Sequence, residues 1–369
     1  DAVATLLDDL LKRSPNNYTG YADKVQAIID DVRERGDEAL FEMTKRFDGA
    51  DLNADNIRVT QAEIDEAYTL VDASLIEVIR KAMTNIRVYH EKQRQYGWFD
   101  TTPDGTILGQ KVTPLQSTGV YVPGGKAAYP SSVLMNVIPA KVAGVEKIVM
   151  VTPPGKDGKV NPGTLVAAHE AGADEIYKVG GAQAIAALAY GTESIPKADK
   201  IVGPGNAFVA EAKKQVFGLV SIDMVAGPSE ILIVADGTVN PKYAAADLLS
   251  QAEHDKMASA VLVTTSLELA KEVQKEIEIQ IPMLERAEIA RASVDNNGKI
   301  IVADGIKTAI DIANEIAPEH LELCVDNPFD YLDEIRHAGS VFMGKNCPEA
   351  LGDYMAGPNH TLPTSGTAK

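Results

Sequence analysis

Residues 175–206 read EIYKVGGAQAIAALAYGTESIPKADKIVGPGN: an apolar run closed by two glycines, an Ala-rich stretch of helical character, and a second short run closed by Gly203-Pro204-Gly205. Strand, glycine turn and helix in that order are the unit from which parallel sheets are built. Working outward, β-branched runs recur at Gly119–Val122, Lys147–Thr152, Glu175–Val179, Lys200–Val202 and Ile231–Val234. Helical stretches fall between them at Ser132–Ala143, Gly163–Ala171, Ala182–Ala189 and Asn206–Val216. The expectation is an α/β fold with mostly parallel sheets covered by helices on both faces. A second alternating region follows, with helix Ala244–His254, strand Ala260–Thr264, helix Leu267–Gln280, strand Lys299–Val302 and helix Gly305–Ile316. Asp236-Gly237 and Asn240-Pro241 supply turn chemistry between the two regions and suggest a domain crossing. Upstream, Tyr21–Phe47 and Gln61–Arg94 carry apolar residues at three- and four-residue spacing, the pattern of helices with one buried stripe.

The chain has 369 residues, which at about 150 per domain indicates two to three domains. Thirty-five Lys and Arg against 53 Asp and Glu leave a net charge of −18, a field that disfavours nucleic acid and anionic membrane surfaces. Any anionic ligand must therefore be held locally. Cys324 and Cys347 cannot form a disulfide scaffold, and such sparse usage fits a reducing compartment, with the cytoplasm as the default. No window approaches the roughly 18 uncharged apolar residues of a membrane span, and the first residues lack the order of a signal peptide.

Three glycine-rich turns follow expected strands: Val122-Pro123-Gly124-Gly125, Val179-Gly180-Gly181-Ala182-Gln183 and Val202-Gly203-Pro204-Gly205-Asn206. Glycine there lets backbone approach a ligand, and the next helix offers unpaired N–H groups to a phosphate. None fits G-x-G-x-x-G, because Phe208 stands where the third glycine would be, and no Gly-Lys-Ser/Thr follows to make a P-loop. The alternative is that these are merely the tight turns any α/β chain needs.

Three further constellations carry donors. Gln251 and His254 in LLSQAEHD are three residues apart, one turn along one helix face, where they could grip one ion; His254 could equally be a helix-end cation. Pro318-Glu319-His320 puts a carboxylate beside an imidazole, a potential base and proton shuttle, or simply a helix-start Glu with a half-buried His. In the irregular stretch Pro348–His360, Asp353 and His360 are the potential donors. His169 and His337 read as structural, and both cysteines as core thiols.

With these residues go long ordered motifs: GVYVPGGKAAYPSSVLMNVIPAKVAGV (119–145), VGGAQAIAALAYGTESIPKADKIVGPGNAFVAEAKKQV (179–216), DMVAGPSEILIVAD (223–236), LLSQAEHD (248–255), APEHLEL (317–323) and GSVFMGKNCPEALGDYMAGPNHTLPTSGTAK (339–369). Together they resemble histidinol dehydrogenase over essentially the whole chain. The resemblance implies zinc-dependent homodimers that oxidise L-histidinol to L-histidine through an aldehyde, the last steps of histidine biosynthesis, with two NAD⁺ in succession. It implies two related, incomplete Rossmann-like domains, in keeping with the missing fingerprint. The expected division is a helical arm at 1–17, a discontinuous metal- and substrate-bearing domain at 18–120 and 230–369, and an NAD-binding domain at 121–229.

Residue by residue, the resemblance assigns Tyr121, Gln183 and Asn206 to NAD, and Gln251, His254 and Asp353 to zinc. It gives Ser229, Gln251, His254, His320 and Asp353 to the substrate, with His360 lining the same pocket. Glu319 and His320 become the acid/base pair: His320 takes the alcohol proton, and Glu319 then activates water for the aldehyde. The family continues beyond the position of Lys369 into a tail that supplies a further His ligand and a substrate-contacting Glu to the partner's site, so the expectation for the given sequence is a metal site short of one ligand. Two alternatives remain at this stage, a zinc hydrolase with Glu319 as base and an inactive fragment that still binds NAD.

Overall fold

The computed structural model describes residues 19–124 and 130–369, so the expected arm at 1–17 lies outside the described residues. Its helices and strands form two compact units, one of Tyr18–Met224 with Tyr354–Thr361, the other of Val225–Asp353 with Leu362–Lys369.

The first unit opens with α1 (Thr19–Arg35), α2 (Asp37–Phe47), α3 (Gln61–Leu70) and α4 (Ala73–Glu91), then an antiparallel ribbon of β1 (Trp98–Thr101) and β2 (Ile107–Gln110). Next come β3 (Ser117–Tyr121), α5 (Pro130–Ala143), β4 (Lys147–Thr152), α6 (Pro162–Ala171), β5 (Glu175–Lys178), α7 (Gly181–Tyr190), β6 (Lys200–Val202), α8 (Ala207–Val216) and β7 (Ser221–Ile222). Strands β3 to β7 make a parallel sheet in the order β5-β4-β3-β6-β7.

Expected boundaries placed 18–120 with the metal-bearing domain, whereas the structure groups these residues with 121–224. The reason is packing. Val25, Ile29 and Val32 of α1 and Leu40 and Met43 of α2 are buried in one cluster with Ile185 and Leu188 of α7. On the other sheet face, Ile79, Ala82 and Ile86 of α4 cluster with Val133, Val137 and Ile138 of α5. Helix α7 is apolar all round, as a helix covered on both sides must be, and α1 and α2 are its cover.

The second unit continues with β8 (Glu230–Ala235), α9 (Pro241–Ala252), β9 (Ser259–Thr264), α10 (Leu267–Gln280), α11 (Ala287–Asn297), β10 (Lys299–Val302), α12 (Ile306–Ile316), β11 (His320–Cys324) and β12 (Ser340–Met343). Its parallel sheet has the order β10-β9-β8-β11-β12, the same topology as the first. EILIVA and SAVLVT are buried at every position, as continuous runs in a sheet covered on both faces should be. Ile231 and Ile233 face the α9 and α10 cluster, and Leu232 and Val234 face α12.

In each sheet the chain runs outward from its first strand, then returns to that strand's other side. The break in direction lies between β3 and β6, and between β8 and β11. Ligands of open parallel sheets bind in the crevice beyond the strand C-termini at such a break. In the first sheet that crevice is formed by Tyr121 and the Gly203-Pro204-Gly205 turn. Gly203 has φ +113°, and a Cβ there would strike the Tyr121 main chain. Gly203→Ala is expected to lower stability by about 1–3 kcal/mol, read as the free energy of chemical unfolding; a variant as stable as the parent would contradict this geometry.

Candidate active site

Tyr121 ends β3, and its buried hydroxyl accepts a hydrogen bond from the Gly181 amide at 3.2 Å. Gly181 starts α7, and Gln183, also buried, lies in the first turn of that helix. Tyr121 and the Gly180–Gln183 turn are thus brought together. Asn206 caps α8, its Oδ1 accepting from the amides of Phe208 at 3.0 Å and Val209 at 3.2 Å, while the residue stays exposed. Gly124 is described, whereas Gly125 lies outside the described residues. Burial pushes the Tyr121 phenol up to about 12, with a contribution from the Asp48 charge, so the hydroxyl is neutral. Asp48, just past α2, is itself pushed up to about 6 by burial, and its Oδ2 is buried without a hydrogen-bond partner among the described residues.

The second constellation lies on β8 and β11. Glu319 and His320 were expected at a helix start; instead Glu319 precedes a strand and His320 begins it. HLELC alternates polar and apolar residues, so His320, Glu322 and Cys324 share one side and Leu321 and Leu323 pack under α12. The signal was hidden because a strand buried at all five positions carries two charged-type residues.

Glu230 holds the pair from the neighbouring strand. Its amide donates to Glu319 Oε2 at 3.0 Å, and its carbonyl accepts from His320 Nδ1 at 2.9 Å. A carbonyl accepts only, so the Nδ1 proton is fixed there and Nε2 is the nitrogen left for chemistry. Nε2 lies 3.1 Å from Asp353 Oδ2, and Nδ1 lies 3.6 Å from Glu319 Oε2. Burial pushes Glu319 up to about 8. For His320 burial acts downward, but the hydrogen bond to Asp353 and the Glu319 charge outweigh it and hold the imidazole up at about 10.

Among the described residues, His320, Glu349 and Asp353 form a buried group whose donor atoms lie within 4.8 Å of one another. Glu349 went unnoticed in the sequence, although it lies inside the singled-out stretch 348–360; nothing in PEALGDYM distinguishes it from a surface helix-start acid. Burial and the Asp353 carboxylate push Glu349 up to about 7. It accepts from Ser250 Oγ at 2.7 Å, which ties it to the C-terminal end of α9. Gln251, buried, is in the last turn of that helix; His254 is two residues beyond it, its amide bonded to the Gln251 carbonyl at 3.1 Å. His254 stands outside the three-residue group. Ser229, partly exposed, immediately precedes β8. His360 belongs to the other compact unit, its ring 6.2 Å from that of Tyr354.

A family model for histidinol dehydrogenase matches residues 11–369. The chain belongs to the histidinol dehydrogenase family. Histidinol dehydrogenase from Bacillus thuringiensis subsp. konkukian (strain 97-27) is 57% identical over 366 residues, spanning 99% of this chain and 82% of the relative. That of Caldanaerobacter subterraneus subsp. tengcongensis is 59% identical over 364 residues, spanning 99% and 84%. The crystal structure of histidinol dehydrogenase from Elizabethkingia anophelis superimposes with a TM-score of 0.91 at 43% identity, over 94% of this chain and 80% of that one. Membership makes this chain an NAD-dependent dehydrogenase of histidine biosynthesis that oxidises histidinol.

The residues present fit the two groups this family is expected to use. For a dinucleotide, glycine turns end β5 and β6 where a side chain would collide with backbone or with Gln183, leaving main chain bare beside two helix N-termini. For a divalent cation, Glu349 Oε1 is buried with no hydrogen-bond partner among the described residues, in a group of nitrogen and oxygen donors of the kind Zn²⁺ and Mn²⁺ accept. No described helix is long and apolar enough to cross a membrane.

The Asp48 carboxyl gives a pH test of the turn region. Its folded-state pKa is raised to about 6, so its contribution is most favourable when protonated and is lost as pH rises from the unfolded value through 6. Asp48→Asn should therefore melt higher than the parent at pH 7.5 and the same near pH 4. Equal melting temperatures at both values would show that burial does not penalise this charge.

Proposed function

We propose that the chain performs the four-electron oxidation of L-histidinol to L-histidine through L-histidinal with two NAD⁺ in succession, using His320 and Glu319 as its acid/base pair. The observation carrying this reading is that one residue, Glu230, holds both side chains through its own amide and carbonyl.

His320 takes the alcohol proton at Nε2 as hydride leaves the carbinol carbon to NAD⁺. Glu319 then removes a proton from the water that adds to the aldehyde while His320 returns its proton to the aldehyde oxygen, and the freed Nε2 of His320 accepts a hydroxyl proton of the resulting gem-diol as the second hydride leaves. Burial keeps the basicity of Glu319 near operating pH, where a general base is most effective. Ser229, Gln251, His254, Asp353 and His360 are proposed to contact the substrate, and Tyr121, Gln183 and Asn206 the cofactor.

A Zn²⁺ is proposed on Asp353, Gln251 and His254; the Ser250–Glu349 hydrogen bond, next to Gln251, supports this by tying the end of α9 to the Asp353 group. When bound, the ion supplies charge stabilisation and orientation for the amino alcohol, and offsets the carboxylates that hold His320 protonated. A homodimer is proposed because the β1–β2 ribbon exposes Trp98, Phe99, Ile107 and Leu108, and a two-stranded ribbon needs cover. Cytoplasmic location is proposed from the two free thiols, Cys324 and Cys347. The hydrolase alternative has no support once the family is known.

For Glu319→Gln, oxidation of histidinal should fall by about 10²–10⁴ while the first hydride transfer from histidinol is little changed; for His320→Asn both should fall. Single-turnover NADH formation from each substrate reads the two steps, and equal losses in Glu319→Gln would remove the assigned role. Glu349→Gln should weaken Zn²⁺ binding by about 10–100-fold in competition with a chromophoric chelator, because it touches the Asp353 group without being a proposed ligand. Unchanged affinity would detach Glu349 from the metal.

A further inference from the structure

We infer that a buried ion pair, Lys213 with Asp223, is a clamp that pre-sets the Gly203–Asn206 turn for the dinucleotide, making both side chains positioning residues. The inference rests on the cofactor reading proposed above. Lys213, on α8, is only 2% exposed. Its Nζ donates to the Gly203 carbonyl at 2.9 Å and pairs with Asp223 Oδ1. The other Asp223 oxygen, Oδ2, accepts from the Gly203 amide at 2.8 Å, and Oδ1 also accepts from the Met224 amide at 2.7 Å. Both main-chain polar groups of Gly203 therefore end on the two members of one pair. Asp223 is itself anchored, its amide donating to the Ile201 carbonyl on β6 at 3.2 Å.

Stability alone is a weak reason for this arrangement. Two charges taken out of water cost so much that replacing such a pair with apolar side chains is often neutral or stabilising. What apolar side chains cannot do is satisfy an amide and a carbonyl. Gly203 sits at φ +113° against the Tyr121 main chain, at the sheet's break in direction, three residues before Asn206, which caps α8. A turn already held in its binding conformation loses less freedom when ligand arrives, and affinity rises accordingly.

The test compares the native chain, Lys213→Met and the double variant Lys213→Met/Asp223→Leu by titration calorimetry with NAD⁺ and, separately, with histidinol. The single variant leaves Asp223 uncompensated and should melt lower than the native chain. The double variant removes that charge and should melt above the single variant, yet bind NAD⁺ about tenfold or more weakly than the native chain with histidinol affinity retained. A double variant with native NAD⁺ affinity would overturn the clamp, because charge neutrality would then be all the pair provides. Parallel loss of both ligands would also overturn it, as a general structural role. Failure of the native chain to bind NAD⁺ would instead strike the cofactor reading itself. A measurement on the native chain guards against a double variant that does not fold: before NAD⁺ is added, the Gly203 amide should exchange with solvent deuterium slowly, and fast exchange would overturn the clamp.

Discussion

Two main-chain atoms of Glu230 hold the two side chains proposed to carry the chemistry of this enzyme. Its carbonyl pins the proton on His320 Nδ1 and its amide pins a Glu319 oxygen, so an imidazole and a carboxylate from adjacent positions meet although strand geometry would send them to opposite faces. Parallel pairing of β8 and β11 places them there, with His320 opposite Ile231. Around this pair the protein gathers more buried acid than it can neutralise: Glu322 is pushed well above the usual carboxylate range by burial and by Asp247, and Glu349 behaves similarly. Such a cluster stays protonated or takes up positive charge, and a divalent cation or an amino alcohol can supply it.

The two sheets share one strand order, yet the sites proposed on them lie at opposite rims. In the first, the glycine turns lie beyond the strand C-termini, where helices begin and their amides and positive dipole ends face outward. An anionic dinucleotide suits that rim, and in a chain with net charge −18 it is the local means of holding one. In the second sheet the proposed acid/base pair lies at the strand N-termini, where α9 ends and carbonyls with negative dipole character collect. That rim favours cations and raises carboxylate pKa values. One strand order thus presents two chemically opposite edges.

Much of this was legible in the residues. Strands Lys147–Thr152, Lys200–Val202 and Lys299–Val302 begin and end where the β-branched runs do; in Lys147–Thr152 the reason is that a strand buried on both faces is a continuous apolar word between polar ends. Helix Leu267–Gln280 likewise matches its amphipathic period. β11 was not legible: His320 and Glu322 interrupt the apolar pattern although the strand is buried at all five positions.

By itself the amino-acid sequence determined the α/β class, the glycine turns, the absence of the usual dinucleotide fingerprint, and, through long ordered motifs, the family. These depend on local backbone preference and on burial pattern, which short stretches encode. Only the tertiary structure decided that Glu349 joins His320 and Asp353, that residues 18–120 cover the first sheet, and that Lys213 and Asp223 converge on Gly203. Those outcomes require residues distant in the chain to share one desolvated space, and no single segment carries the free energy that selects it.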